Sequence, residues 1–280
     1  MPTFVHEGQR LAYREFGEGP RTTVLLHGLL LSQRMHEPLA RDLAERGNRV
    51  VTLDLLGHGR SDRPRDMWRY SMSFFGEQVV ALLDHLEVEQ AVVMGTSLGA
   101  NTTLEVASHA PERLRGMVLE MPVLDNALLA VAVAFTPLLV ALTFGEPVMR
   151  FVQRGARAIP ESRVPLMANV MLDAVRQDPG PSAAVLQGLF FGRTAPHRAE
   201  RRTIRTPALV IGHHRDPVHP FSDAGMLADE LPNGRLLEAD SIVELRFSPE
   251  RLTGEIAAFI EQCWSSRRRS APRRRPAQLP

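Results

Sequence analysis

Gly95-Thr96-Ser97-Leu98-Gly99 places a serine two residues from a glycine on either side. That spacing suits a sharp turn between a strand and a helix, where the glycines let the backbone crowd together and the hydroxyl projects above a sheet. The context is present. Ala91 to Met94 reads as a strand, and Leu98 to His109 carries apolar residues at helical spacing. The start of that helix would aim its amides and its partial positive charge at Ser97. Such a serine can act as a nucleophile once a neighbouring base takes its proton.

Three other segments carry residues of chemical interest: His27-Gly28-Leu29, the stretch Asp54-Leu55-Leu56-Gly57-His58-Gly59-Arg60-Ser61-Asp62, and Gly212-His213-His214-Arg215-Asp216-Pro217-Val218-His219-Pro220. Each follows a short apolar run rich in β-branched residues. The runs are Thr23 to Leu26, Val50 to Leu53 and Ala208 to Ile211, and Met117 to Glu120 and Arg235 to Glu238 read in the same way. Phe4 to Glu7 and Leu11 to Phe16 read as an opening hairpin turning at Gly8-Gln9. Amphipathic helices are predicted over Glu37 to Arg46, Phe74 to Leu86, Leu98 to His109, Asp223 to Leu231 and Pro249 to Trp264. Strands alternating with helices predict an α/β fold with a mainly parallel sheet flanked by helices.

The rhythm breaks between Pro122 and Arg202, a long, proline-punctuated stretch with helical patterning. Residues 122–202 are therefore read as a helical cap inserted after the sixth strand, with 1–121 and 203–264 forming the core. Ala127 to Phe144 has no charged residue and is about long enough to span a bilayer. Pro137 interrupts it, and Ser97 and Asp216 on either side must meet, so an oily helical pair covering a pocket is the expected use. A weak contact with a membrane surface is the second reading.

In their order along the chain these pieces resemble the α/β-hydrolase superfamily over nearly all of residues 3–263. The resemblance implies that the backbone amides of Leu29 and Leu98 bind a developing oxyanion. It places His27 and Gly28 beside the substrate, although His27 also reads as an internal brace of its loop. The stretch from Asp54 is similar to the D-x-x-G-x-G-x-S loop of that family and is read as structural. The loop after Ala208 to Ile211 usually supplies the acid, which makes Asp216 the candidate, with Glu120 and Asp125 as alternatives.

The departure is the base. The family places a histidine just after the last strand, but Glu238 to Pro249 contains none, and no histidine follows His219. His213, His214 or His219 could supply an imidazole from the Asp216 loop, His219 being the first choice. A triad is defined by geometry and not by sequence position. Glu244 or Asp240 is the weaker substitute, because a solvated carboxylate is a poor base near neutral pH. His36 and His58 fall near the expected mouth and read as structural.

The predicted activity is hydrolysis of a carboxylic ester, thioester or related acyl compound with an apolar acyl part. A hydrolase-like binding protein for a hydrophobic small molecule, without turnover, is the alternative that the missing base raises. No cofactor or metal is implied. All 33 basic residues are arginine, against 32 acids, and six of the arginines lie in the acid-free stretch 265–280. The remainder is thus mildly acidic, which excludes a nucleic-acid-binding fold. That arginine-rich stretch is read as a disordered tail. The single cysteine, Cys263, excludes an internal disulfide and reads as a buried thiol. The start has no apolar leader pattern, so a cytoplasmic location is expected; the oligomeric state is not legible.

Overall fold

The computed structural model describes residues 1–265. Among these residues eight strands form one sheet: β1 (Thr3–His6), β2 (Gln9–Phe16), β3 (Arg21–Leu26), β4 (Asn48–Leu53), β5 (Ala91–Thr96), β6 (Leu114–Glu120), β7 (Ala208–His213) and β8 (Gly234–Ala239). Their spatial order is β1-β2-β4-β3-β5-β6-β7-β8. β2 runs antiparallel to both of its neighbours, and every pairing from β4 to β8 is parallel.

The helices are α1 (Glu37–Glu45), α2 (Met72–His85), α3 (Leu98–His109), α4 (Leu128–Phe144), α5 (Glu146–Ala158), α6 (Leu166–Arg176), α7 (Pro179–Phe191), α8 (Arg198–Arg201), α9 (Phe221–Glu230), α10 (Glu244–Phe247) and α11 (Glu250–Ser265). The strands alternate their side chains between two layers, as the pleat requires. Leu26, Leu53, Val93, Leu119 and Val210 pack with Phe75 and Val79 of α2, Leu104 of α3 and Leu227 of α9. Leu25, Val50, Val92, Val118 and Ile211 pack on the opposite face with Leu39 and Leu43 of α1 and Ile256, Phe259 and Cys263 of α11. Cys263 is buried there, which pushes its thiol up to about 11. With both faces covered, the central strands are apolar on both sides, as parallel sheets require.

Three local expectations are corrected. The opening hairpin turns at Glu7-Gly8, both with positive φ (48° and 73°), so that Gln9 already pairs with His6. Two consecutive positive φ values are what a tight two-residue hairpin turn needs. Pro137 does not break the apolar run, because α4 continues through it as one helix of 17 residues and not as a pair. The carbonyl that proline leaves unpaired belongs to Val133, on the exposed side, where water can take its hydrogen bond. Ser265 ends α11, and the rest of the stretch read as a disordered tail, 266–280, lies outside the described residues.

Helices α4 to α8 all fall between β6 and β7. Among the described residues no single helix is long and apolar enough to cross a membrane; α4 and α5 together pass that test by composition but meet at 100°.

Candidate active site

Ser97 stands between the end of β5 and the start of α3 with φ 53° and ψ −110°. This is the left-handed region, which a residue bearing a side chain occupies only when its surroundings hold it there, at a cost of about 1–3 kcal/mol. The flanking glycines have a steric cause. A Cβ on Gly95 would lie 2.0 Å from the carbonyl carbon of Gly99, and one on Gly99 would lie 2.4 Å from the carbonyl oxygen of Leu26. The helix therefore presses its first turn directly onto the ends of β3 and β5. Gly99→Ala is expected to destabilise the fold by about 1–3 kcal/mol, as overpacking does, read as a lower urea midpoint at unchanged slope.

The Ser97 Oγ lies 2.9 Å from Nε2 of His219, and Nδ1 of His219 lies 2.9 Å from Oδ2 of Asp216. The two bonds fix the tautomer: Nδ1–H donates to the carboxylate, which leaves Nε2 to accept the serine proton. Asp216 is itself held by its own turn, since its Oδ1 accepts the backbone N–H groups of Val218 at 2.8 Å and His219 at 2.9 Å. Burial raises its pKa, but the bonds from the His219 ring, the His219 amide and the Val218 amide outweigh this and hold the carboxyl at about 2.

The sign follows from the lowered value. Asp216 stabilises the fold fully above its unfolded pKa of about 3.9, and the contribution is lost as pH falls through about 2. The stability advantage of wild type over Asp216→Asn is therefore expected to shrink as pH falls below about 4, measured by urea unfolding at stepped pH.

The other histidines are placed elsewhere. His213 is buried and its Nδ1 donates to the Ser241 carbonyl at 2.7 Å. His214 stacks on Phe221 and pairs with Glu238 at the surface. His27 is fully buried. Its Nδ1 donates to the Gly28 carbonyl at 2.8 Å, and its Nε2 accepts the Leu55 amide at 3.1 Å. It is a brace between two loops, and burial lowers its pKa. Gly28 is likewise buried and gives its amide to the Met35 sulfur. Neither His27 nor Gly28 lines the cavity at Ser97 where substrate contact was expected. His36, held neutral by burial with its pKa near 3, and His58 are also fully buried.

Ser97 and His219 open into a cavity of about 240 Å³. Leu29 and Leu98 border it, and Leu98 is the first residue of α3, whose N–H has no partner within the helix. One wall is Leu128, Val131, Ala132 and Phe135 of α4, and another is Leu186, Leu189 and Phe190 of α7. The polar side chain Asn101 has its capacity taken by the Val123 and Thr194 backbones. The lining is thus almost wholly apolar apart from the hydrogen-bonded serine and histidine. A larger cavity of about 720 Å³ lies between the 54–63 loop and α5 and α6; it is lined by charged side chains and holds neither Ser97 nor His219.

Sequence reasoning missed what lies beneath the serine. Glu120, the last residue of β6, is buried; its backbone carbonyl accepts the Ser97 amide at 2.8 Å. Its carboxylate accepts from the Thr96 hydroxyl at 2.5 Å and from Arg246 at 2.8 Å. Arg246 belongs to α10, in the stretch after β8 where the resemblance places a histidine. Burial pushes the Glu120 pKa up, but Arg246 and the Thr96 hydroxyl pull it down further, so the net shift is downward. Glu244 pairs with Arg251, Asp240 sits mostly exposed, and neither contacts Ser97. Asp125, the other alternative acid, is exposed at the surface beside Arg201.

Comparisons with known proteins agree with this architecture. The chain is 40% identical over 74 residues, 26% of each length, to a 2-hydroxymuconate semialdehyde hydrolase of Pseudomonas sp. (strain CF600). It is 31% identical over 120 residues to a haloalkane dehalogenase of Mycolicibacterium paratuberculosis, covering 42% of this chain and 40% of that protein. These matches span less than half the length of the curated relatives. Among solved structures, the enol-lactonase from Burkholderia xenovorans LB400 superposes with a TM-score of 0.76 at 24% identity, covering 93% of this chain and 100% of that one, a likeness of fold. The alpha/beta hydrolase fold family profile matches residues 23–241, and with that match and the doubly covered parallel sheet the chain belongs to the alpha/beta hydrolase fold family.

Proposed function

We propose that the chain is a serine hydrolase acting on a carboxylic ester, thioester or related acyl compound with a small apolar acyl group. The observation that carries the reading is the continuous hydrogen-bonded chain from Ser97 Oγ through His219 to Asp216. In the proposed reaction His219 Nε2 takes the hydroxyl proton as Ser97 Oγ attacks the carbonyl carbon, and the resulting imidazolium faces the ionised Asp216. The amides of Leu29 and Leu98 receive the oxyanion. His219 then gives its proton to the leaving group, water attacks the acyl-serine with the same assistance, and the acid is released. Helices α4 to α7 act as the cap, and the 240 Å³ space beneath them is below the roughly 300–1,000 Å³ typical of drug-sized ligands, which favours short acyl groups.

The test is labelling of the purified protein by a fluorophosphonate probe, which reports an activated serine. Rapid labelling that vanishes in Ser97→Ala is expected. No labelling under conditions in which a control serine hydrolase reacts fully would overturn the reading in favour of a hydrophobic-ligand binder.

A further inference from the structure

The cap helices turn apolar faces away from the protein. α4 is uncharged over its whole length, yet Leu142 is its only buried residue. One side of it walls the Ser97 cavity. The opposite side, Leu129, Val133, Val140 and Phe144, recurs at helical spacing and stands in solvent, with Leu129 75% and Phe144 82% exposed. α5 is oriented in the same unusual sense. It buries Gln153 and Ala156, while Val148, Phe151 and Val152 face outward. Arg150, Arg154 and Arg157 lie on the adjoining flank of α5, all exposed.

A surface helix normally turns its apolar stripe toward the core. Contiguous exposed apolar patches on this scale mark an interaction site. The flanking cations identify the occupant, because an apolar helix face bordered by arginines is the arrangement that sits at the boundary between acyl chains and anionic headgroups. We infer that the outer faces of α4 and α5 seat this protein on an anionic lipid surface, with both helices lying in the interface and neither spanning it. If the proposed hydrolase reading holds, an apolar ester dissolved in the bilayer needs only to pass α4 to reach Ser97.

The test is flotation of the full chain with vesicles of phosphatidylcholine alone and of phosphatidylcholine with phosphatidylglycerol. Wild type is expected to float with the anionic vesicles and to be released progressively by salt. The triple variant Leu129→Ser, Phe144→Ser, Phe151→Ser is expected to lose at least about tenfold in partitioning, with an unchanged thermal melt, since all three side chains lie outside the core. Absence of wild-type flotation overturns the inference. So does undiminished flotation of the variant, which would assign binding to the arginines beyond residue 265. A wild-type dimer in sedimentation that the same substitutions dissociate, without vesicle binding, would overturn it in favour of self-association. None of these readouts uses catalysis, so failure of the hydrolase reading in the probe experiment leaves the docking result intact.

Discussion

Alanine at His219 is expected to lower kcat/KM for a short-chain p-nitrophenyl ester by about 10²–10⁴-fold, the usual contribution of a positioned general base. Alanine at Ser97 is expected to remove turnover by this route altogether. The His219 variant should fold normally, because Asp216 keeps its two backbone bonds, from the amides of Val218 and residue 219 itself, and so the turn does not depend on the imidazole. Alanine at His213 is the control. That ring bonds the Ser241 carbonyl and not the nucleophile, so any loss there belongs to the loop and would appear as lowered stability. Activity of His219→Ala within threefold or so of wild type would exclude an imidazole base at this position, since that is well under the range general-base catalysis supplies.

The second large effect is on stability. Arg246→Met is expected to cost about 3–5 kcal/mol, because it strands the buried Glu120 carboxylate without its cation. The sign with pH is definite. In wild type the Glu120 pKa is lowered, so its contribution is present above the unfolded value and is lost as pH falls through the folded one. In the variant, burial is opposed only by the Thr96 hydroxyl and by His213, so the folded pKa rises relative to wild type and the penalty grows as pH rises above about 4.3 and fades below it as the carboxyl takes up a proton. Urea unfolding of both proteins at pH 5 and pH 8 checks this, the gap being wider at pH 8. Glu120→Gln combined with Arg246→Met should recover part of the loss. A cost under about 1 kcal/mol at pH 8 would show that the pair does not hold the serine turn, being no more than an exposed ion pair contributes.

The fold was legible because its signals are local. The apolar runs at β3, β4, β5 and β7 lie within a residue or two of their observed ends, and Gly95 is where it is for a steric reason that acts across a single turn, against Gly99. The Asp216 and His219 placement was reachable because both lie on one loop and no later histidine competes. The pairing of Glu120, read from the sequence only as an alternative acid, with Arg246 was not reachable, since an ion pair between the end of β6 and α10 leaves no periodicity or spacing to read. The only sign was a carboxylate closing the apolar run Met117 to Leu119. The outward turn of α5 was hidden for a related reason: the pattern of a helix reveals that it has two faces, but packing against neighbours decides which of them the protein keeps.

Asp216 and His219 are three residues apart, and both bond through one short turn between β7 and α9. In the proposed mechanism, acid and base therefore form a single cassette with no dependence on the register of the last strand. Transplanting that one loop into a relative whose own terminal histidine had been deleted would carry both groups together, whereas a base after the last strand requires two loops to be moved in step. On the same mechanism the segment beyond β8 takes no part in proton transfer, and its Arg246 instead clamps Glu120 beneath the serine turn.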